Sequence, residues 1–131
     1  YKLLSDRNLY ENIALPLHVM GFTSNQIASR VDEAIELVGL EGKESHLPRE
    51  LSGGEQQRAS LARAFIKEPD IILADEPTGN LDPVASFELV RLLETINETG
   101  TTVLMASHNY NLIKGRGRPI FELKNGILRV R

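Results

Sequence analysis

The sequence predicts an α/β fold in which a helical first half leads into part of a mainly parallel sheet. Three observations carry this expectation. Residues before Leu51 show apolar positions at helical spacing, joined by polar turns. After Leu51, the short apolar runs 71–74 and 101–106 alternate with helix-like stretches. The resulting order of strand, helix and strand is that of a parallel α/β layer. The chain therefore divides into residues 1–50, a helical subdomain, and residues 51–131, which begin with a further helix and continue into the sheet.

Taken in order, Asp6 is placed to cap a first helix carrying Leu9, Ile13, Leu17 and Met20 on one side. Pro16 is expected to kink or end it, and Gly21 closes the segment. Thr23 with Gln26 three residues later reads as a capping box. The helix behind it carries Ile27, Val31, Ala34, Ile35 and Val38 and stops at Gly39. Residues 41–50 are polar and read as a loop. Ser52 with Glu55 is a second capping box, followed by Ala59, Ala62, Phe65 and Ile66, with Pro69 at the exit. The run 71–74 suits a strand buried on both faces. Asp82-Pro83 is a helix start, and Phe87, Leu89, Val90, Leu92, Leu93 and Ile96 are expected on its buried face up to Gly100. Two short apolar runs, 120–123 and 127–130, flank Lys124-Asn125-Gly126, a hairpin signal.

Composition narrows the function. The 131 residues carry 15 Lys plus Arg against 18 Asp plus Glu, a formal net charge of -3. A dedicated nucleic-acid binder is usually strongly basic, so nucleic acid is not an expected partner. There is no Cys, which removes disulfides and thiolate zinc sites and fits the cytoplasm. No apolar run reaches the ~18–20 residues a membrane-spanning helix needs. The chain opens at Tyr1 in sequence that reads as the middle of a domain.

Four clusters carry chemistry. In Leu51-Ser52-Gly53-Gly54-Glu55-Gln56-Gln57, two glycines at a helix start let another group approach the backbone. The free N–H groups and the helix dipole there favour an anion. Taken alone, Ser52 and Glu55 read equally well as a plain cap. Asp75 and Glu76 end the strand 71–74, where open α/β sheets bind ligands; a strand turning polar at solvent is the simpler alternative. His108 follows the second strand and falls at the same end if the strands are parallel, although a lone solvated His is the commoner case. Gly79-Asn80-Leu81-Asp82 is by itself a turn with a cap. His18 and His46 have no neighbours that suggest a ligand set.

The ordered combination is more specific than its parts. Leu51–Gln57, Asp75–Glu76, Gly79–Asp82 and His108, in this order and spacing, resemble the nucleotide-binding domain of ABC ATPases, a P-loop NTPase-type fold. Leu51 to Glu55 looks like the signature motif, Ile71 to Glu76 like the Walker B strand with the catalytic Glu, Gly79 to Asp82 like the D-loop, and His108 like the switch His. The stretches 74–82, 3–12 and 105–113 resemble the FtsE/LolD/MacB-like group, and the last two look most FtsE-like. Asn109 departs from the acid that commonly follows the switch His.

The resemblance implies ATP and Mg²⁺ as ligands. Asp75 would help hold the metal, Glu76 would act as general base, and His108 would contact the γ-phosphate. Ser52, Gly53, Gly54 and Glu55 would bind the nucleotide held by a second subunit in a head-to-tail dimer, with Asp82 joining the two sites. It also implies a transmembrane partner of FtsX type docking on residues 3–49, so that a cytoplasmic protein sits at the inner face of the membrane only through that partner. LolD- or MacB-like subunits, for lipoprotein release or export, are the alternative. Arg58 reads as structural or as a dimer contact. No G-x-x-x-x-G-K-[ST] loop occurs in these residues, and the family's Q-loop glutamine is not among them. The chain is thus expected to be the C-terminal part of a longer domain and to be inactive by itself.

Overall fold

A computed structural model describes residues 2–131. The elements run α1 (Leu9–Val19), α2 (Ser24–Leu37), a 3₁₀ turn (Pro48–Glu50), α3 (Gly53–Phe65), β1 (Ile71–Asp75), α4 (Pro83–Glu98), β2 (Thr102–Ala106), α5 (Tyr110–Ile113), β3 (Phe121–Lys124) and β4 (Ile127–Val130).

The cap of α1 is Asn8, not Asp6. Its side chain accepts from the Glu11 N–H at 2.8 Å, because residues 4–7 form a turn of their own, closed by Arg7 N–H to Leu4 O. Asn12 holds that turn. Its side chain is fully buried; Oδ1 accepts from Leu4 N–H at 2.8 Å, and Nδ2 faces the carbonyls of Leu4, Arg7 and Asn8. The first-turn N–H groups of Leu9 and Tyr10 donate to His46 and Glu44 in the loop after α2. Pro16 does not end the helix, which continues to Val19. Gly21, at φ +83, then closes it: Gly21 N–H donates to His18 O and Phe22 N–H to Leu17 O, the paired bonds of a Schellman motif. Met20 lies outside the apolar stripe and is exposed.

The capping box of Thr23 and Gln26 starts α2 as expected. Its end repeats the Schellman pattern at Gly39, where φ is +68. Arg58 settles into a structural place there, donating from Nη1 to Val38 O at 2.8 Å. The faces of α1 and α2 meet α3 in one core built on Leu9, Ile13, Leu17, Ile27, Val31 and Ile35 with Ala59 and Ala62. On its other side α3 supplies Leu61 to a second core with Ile72, Leu89, Leu93 and Ile96. The signature-like helix is therefore the shared wall of two packed clusters.

β1 and β2 pair in parallel, with Ile71 opposite Thr102 and Asp75 opposite Ala106. Only one face of this pair is covered. Ile72 is buried, whereas Ile71 is half exposed and Leu73 is 71% exposed. Burial on both faces is not met among the described residues, in which α3 and α4 pack on the Ile72 side. Phe87 likewise does not join the buried face of α4. It is 51% exposed and lies under the Arg116 guanidinium, 5.2 Å from the ring centre. Leu89, Val90, Leu93 and Ile96 are buried as expected. β3 and β4 form the antiparallel hairpin, with Asn125 and Gly126 both at positive φ, the requirement of a type I′ turn. Among the described residues no helix is long and apolar enough to cross a membrane.

Candidate functional site

Parallel pairing fixes the first feature of the site. Because β1 and β2 run the same way, their C-terminal ends lie side by side, and the residues that follow them emerge together. Glu76 N–H extends the ladder by donating to Ala106 O at 2.9 Å. The chain then turns, with Glu76 at φ +46, a left-handed conformation uncommon for a side-chain-bearing residue. Pro77 follows, and a residue before proline is steered away from the right-handed helical region.

That turn presents the Glu76 carboxylate to His108. Oε1 accepts from the His108 backbone N–H at 2.8 Å and lies 2.9 Å from Nδ1. Glu76 and His108 are thereby brought together across 32 residues of sequence. With Nδ1–H directed at the carboxylate, Nε2 faces outward on a ring that is 84% exposed. Oε2 of Glu76 has no partner among the described residues. The two side chains line a cleft of about 330 Å³ whose walls include Thr78, Ser86, Asn109 and Asn111. Asn109 N–H is tied back to Ser107 Oγ at 3.0 Å.

Asp75 is exposed at the end of β1, and its carboxylate has no hydrogen bond or ion pair among the described residues. No cluster of three or more His, Asp or Glu side chains suited to a metal occurs among them either. An isolated carboxylate fits a Mg²⁺ ion, which takes one or two protein carboxylates plus water and substrate phosphates.

The second feature is the start of α3. Ser52 is exposed, and its hydroxyl accepts from Glu55 N–H while the Glu55 carboxylate accepts from Ser52 N–H, the expected capping box. These bonds use two of the four N–H groups that a helix start leaves free. Those of Gly53 and Gly54 remain without partners among the described residues, which suits an incoming anion. Gly54 also packs tightly on α4: a Cβ there would come within 3.2 Å of the Ala85 Cβ. Ala85 is the residue whose N–H donates to the Asp82 cap at 2.8 Å, so Asp82 stands beside the α3 start. No hydrogen bond joins Ser52 or Asp75 to Glu76 or His108 among the described residues.

Glu55 carries a feature that sequence reasoning missed. Lys43, from the polar loop after α2, forms an ion pair with it. With the Ser52 N–H bond, that ammonium lowers the Glu55 carboxyl to about 2. The folded value lies below the ordinary 4.5, so the stabilisation is present above about pH 4.5 and is lost as pH falls towards 2. Glu55→Gln is expected to be less stable than wild type at pH 7, by about 1 kcal/mol given the partly solvated Lys43. In urea unfolding this gap should close as pH falls from 5 to 2; a gap independent of pH would contradict the assignment. Nothing in the local pattern pairs residues 43 and 55, because the contact depends on how the 41–50 loop returns to α3.

An acid and an imidazole at the end of a parallel strand pair, and an open, glycine-rich helix start, fit the class of α/β nucleotide-type cassettes. Comparison with known proteins agrees: the ABC transporter family model matches residues 2–79, more than half of the chain. The chain belongs to the ABC transporter family. It is 49% identical over 98% of its length to the cell division ATP-binding protein FtsE of Mycobacterium tuberculosis, covering 56% of that relative. It is 47% identical over 98% of its length to the protein of the same name from Escherichia coli, covering 58%. The chain thus spans little more than half the length of these curated relatives. Among solved structures, a bacterial ABC transporter cassette determined as a dimer matches 85% of the chain at a TM-score of 0.73 and 35% identity, with 50% of that cassette covered. The cbiO1 protein of Clostridium perfringens, part of an ABC transporter complex, matches 86% at a TM-score of 0.79 and 30% identity, with 45% covered.

Proposed function

We propose that these residues are part of an ATP-hydrolysing subunit of an ABC-type membrane complex of the FtsE kind, acting in cell division. Residues 1–50 serve as its helical subdomain and residues 51–131 as the signature helix and C-terminal part of its core. The observation that carries this reading is the Glu76–His108 pair, joined by two hydrogen bonds at the end of a parallel strand pair, together with the unpartnered N–H groups of Gly53 and Gly54 at the start of α3.

In this reading Glu76 is the general base. Its Oε1 is anchored by His108, which leaves Oε2 free to orient and take a proton from the attacking water. The outward Nε2 of His108 contacts the γ-phosphate. Asp75 would help hold Mg²⁺, and the metal would supply charge neutralisation on the phosphates. These residues contain no G-x-x-x-x-G-K-[ST] phosphate loop. Ser52, Gly53, Gly54 and Glu55 close over the nucleotide gripped by a second subunit arranged head to tail, and Asp82 lies at the contact between the two sites. The solved dimer of a similar cassette supports the pairing.

The membrane partner, of FtsX type, docks on the helical half. A groove of about 580 Å³ between α1 and α3 presents Leu15, Val19 and Met20 of that half beside Arg63, Ala64 and Lys67 from α3 and its exit, with Val19 81% exposed. Attachment at the cytoplasmic face of the membrane follows from that partner. The test joins the chain to an upstream segment bearing a phosphate loop and compares ATP turnover with and without Glu76→Gln. The 131 residues alone are expected to show none.

A further inference from the structure

We propose that Gln57 is a positioning residue that locks the signature-like start of α3 to the turn carrying Glu76, so that the two share one orientation. This rests on the role assigned to Glu76 above only for its consequence; the linkage itself is a property of the chain without nucleotide.

Gln57 Nε2 donates to Pro77 O at 2.7 Å, across 20 residues of sequence. Pro77 directly follows Glu76, whose left-handed backbone is unfavourable for a residue with a Cβ and persists only where neighbours hold it. The turn has its own internal bonds, Gly79 N–H to Glu76 O at 3.1 Å and Leu81 N–H to Thr78 O at 3.1 Å. On the β2 side it is held by Ala106 and His108. From α3, the hydrogen bond that reaches its backbone is that of Gln57. The amide works through one end alone, because its Oε1 is buried and has no partner among the described residues.

Spacing makes the link directional. Gln57 lies four residues after Gly53 and three after Gly54, hence on the same helix face. That face touches the turn after Glu76 at Pro77 through Gln57, and the first turn of α4 at Ala85 through Gly54. A displacement of the α3 start by an anion at Gly53 and Gly54 is therefore carried to the Glu76 turn by the Gln57–Pro77 hydrogen bond. In the proposed dimer these groups serve opposite nucleotides, so Gln57 connects the two sites within one subunit.

Amide hydrogen exchange by NMR on the 131-residue chain tests this without nucleotide. Gly79 and His108 N–H both donate to Glu76 and report its orientation. Phe22 N–H, which closes α1, reports the integrity of the helical half. Gln57→Leu is expected to lower protection at Gly79 and His108 at least about tenfold and to leave Phe22 unchanged. Gln57→Glu keeps the shape but removes the donor at neutral pH. It should lose Gly79 protection there and regain it as pH falls through about 4, when the acid recovers an O–H to donate; Gln57→Leu should not recover. Unchanged protection at Gly79 and His108 in Gln57→Leu overturns the proposal. If Gln57→Leu also loosens Phe22, Gln57→Glu decides, and Gly79 protection indifferent to pH overturns it. Failure of ATP hydrolysis in the joined cassette would leave these readings intact, so the two claims fail separately.

Discussion

Replacing Glu76 by Gln in the cassette completed with a phosphate loop is expected to lower ATP turnover about 10²–10⁴-fold, the range of a lost general base, while ATP binding persists. The substitution is nearly isosteric. The Gln side-chain oxygen still accepts from the His108 N–H, at 2.8 Å in the native pair, so the cleft keeps its shape. What disappears is the negative charge and the ability of the free oxygen to receive a proton. The loss should therefore fall on kcat and leave KM little changed. Glu76→Ala removes the His108 anchor as well and is expected to loosen the 107–109 segment, which Gln leaves in place. Turnover within a factor of about two of wild type for Glu76→Gln, where a base should matter by at least about 10², would remove Glu76 from this role.

Asn12→Ala is expected to be the most damaging single truncation for stability, about 2–4 kcal/mol in urea unfolding. One buried amide satisfies the Leu4 N–H and reaches the Leu4, Arg7 and Asn8 carbonyls. Alanine leaves the Leu4 N–H and the Arg7 carbonyl without these partners, while Leu4 O and Asn8 O keep the Arg7 and Asn12 N–H groups, and it opens a void at a fully buried position. Asn12→Asp should be worse at pH 7, because it keeps the acceptor for Leu4 but faces three carbonyl oxygens with a charge. Acidification should narrow that difference. A loss under about 0.5 kcal/mol for Asn12→Ala, the level of an ordinary surface change, would mean that the turn is held by other contacts.

Local chemistry made much of the fold legible. The Thr23–Gln26 and Ser52–Glu55 boxes, the Asp82-Pro83 start and the Asn125-Gly126 turn each depend on residues within a few positions, and all form as read. Features decided by tertiary placement were not legible. Asn8 displaces Asp6 as the cap because Asn12 folds the preceding turn back. The run 71–74 is apolar throughout, which reads as two buried faces; among the described residues α3 and α4 cover the Ile72 side. Phe87 has helical spacing for the core but is drawn out under Arg116, whose own place is set by Glu94 and the Leu112 carbonyl. In the site, Glu76 and His108 could be aligned from strand order alone. Lys43 on Glu55 and Gln57 on Pro77 are long-range pairs between polar residues with no periodic signal.

The central claim is that the open start of α3 completes a nucleotide site whose phosphates are gripped by another subunit. The chain has no Cys, so Ser52→Cys gives it one thiol at the exposed cap. That variant of the 131-residue chain, mixed with a full-length relative loaded with ATP bearing a thiol-reactive group on the γ-phosphate, should become covalently labelled. Labelling should require the partner and fall when unmodified ATP competes. Labelling at the same rate without the partner, or none with it, would contradict the account.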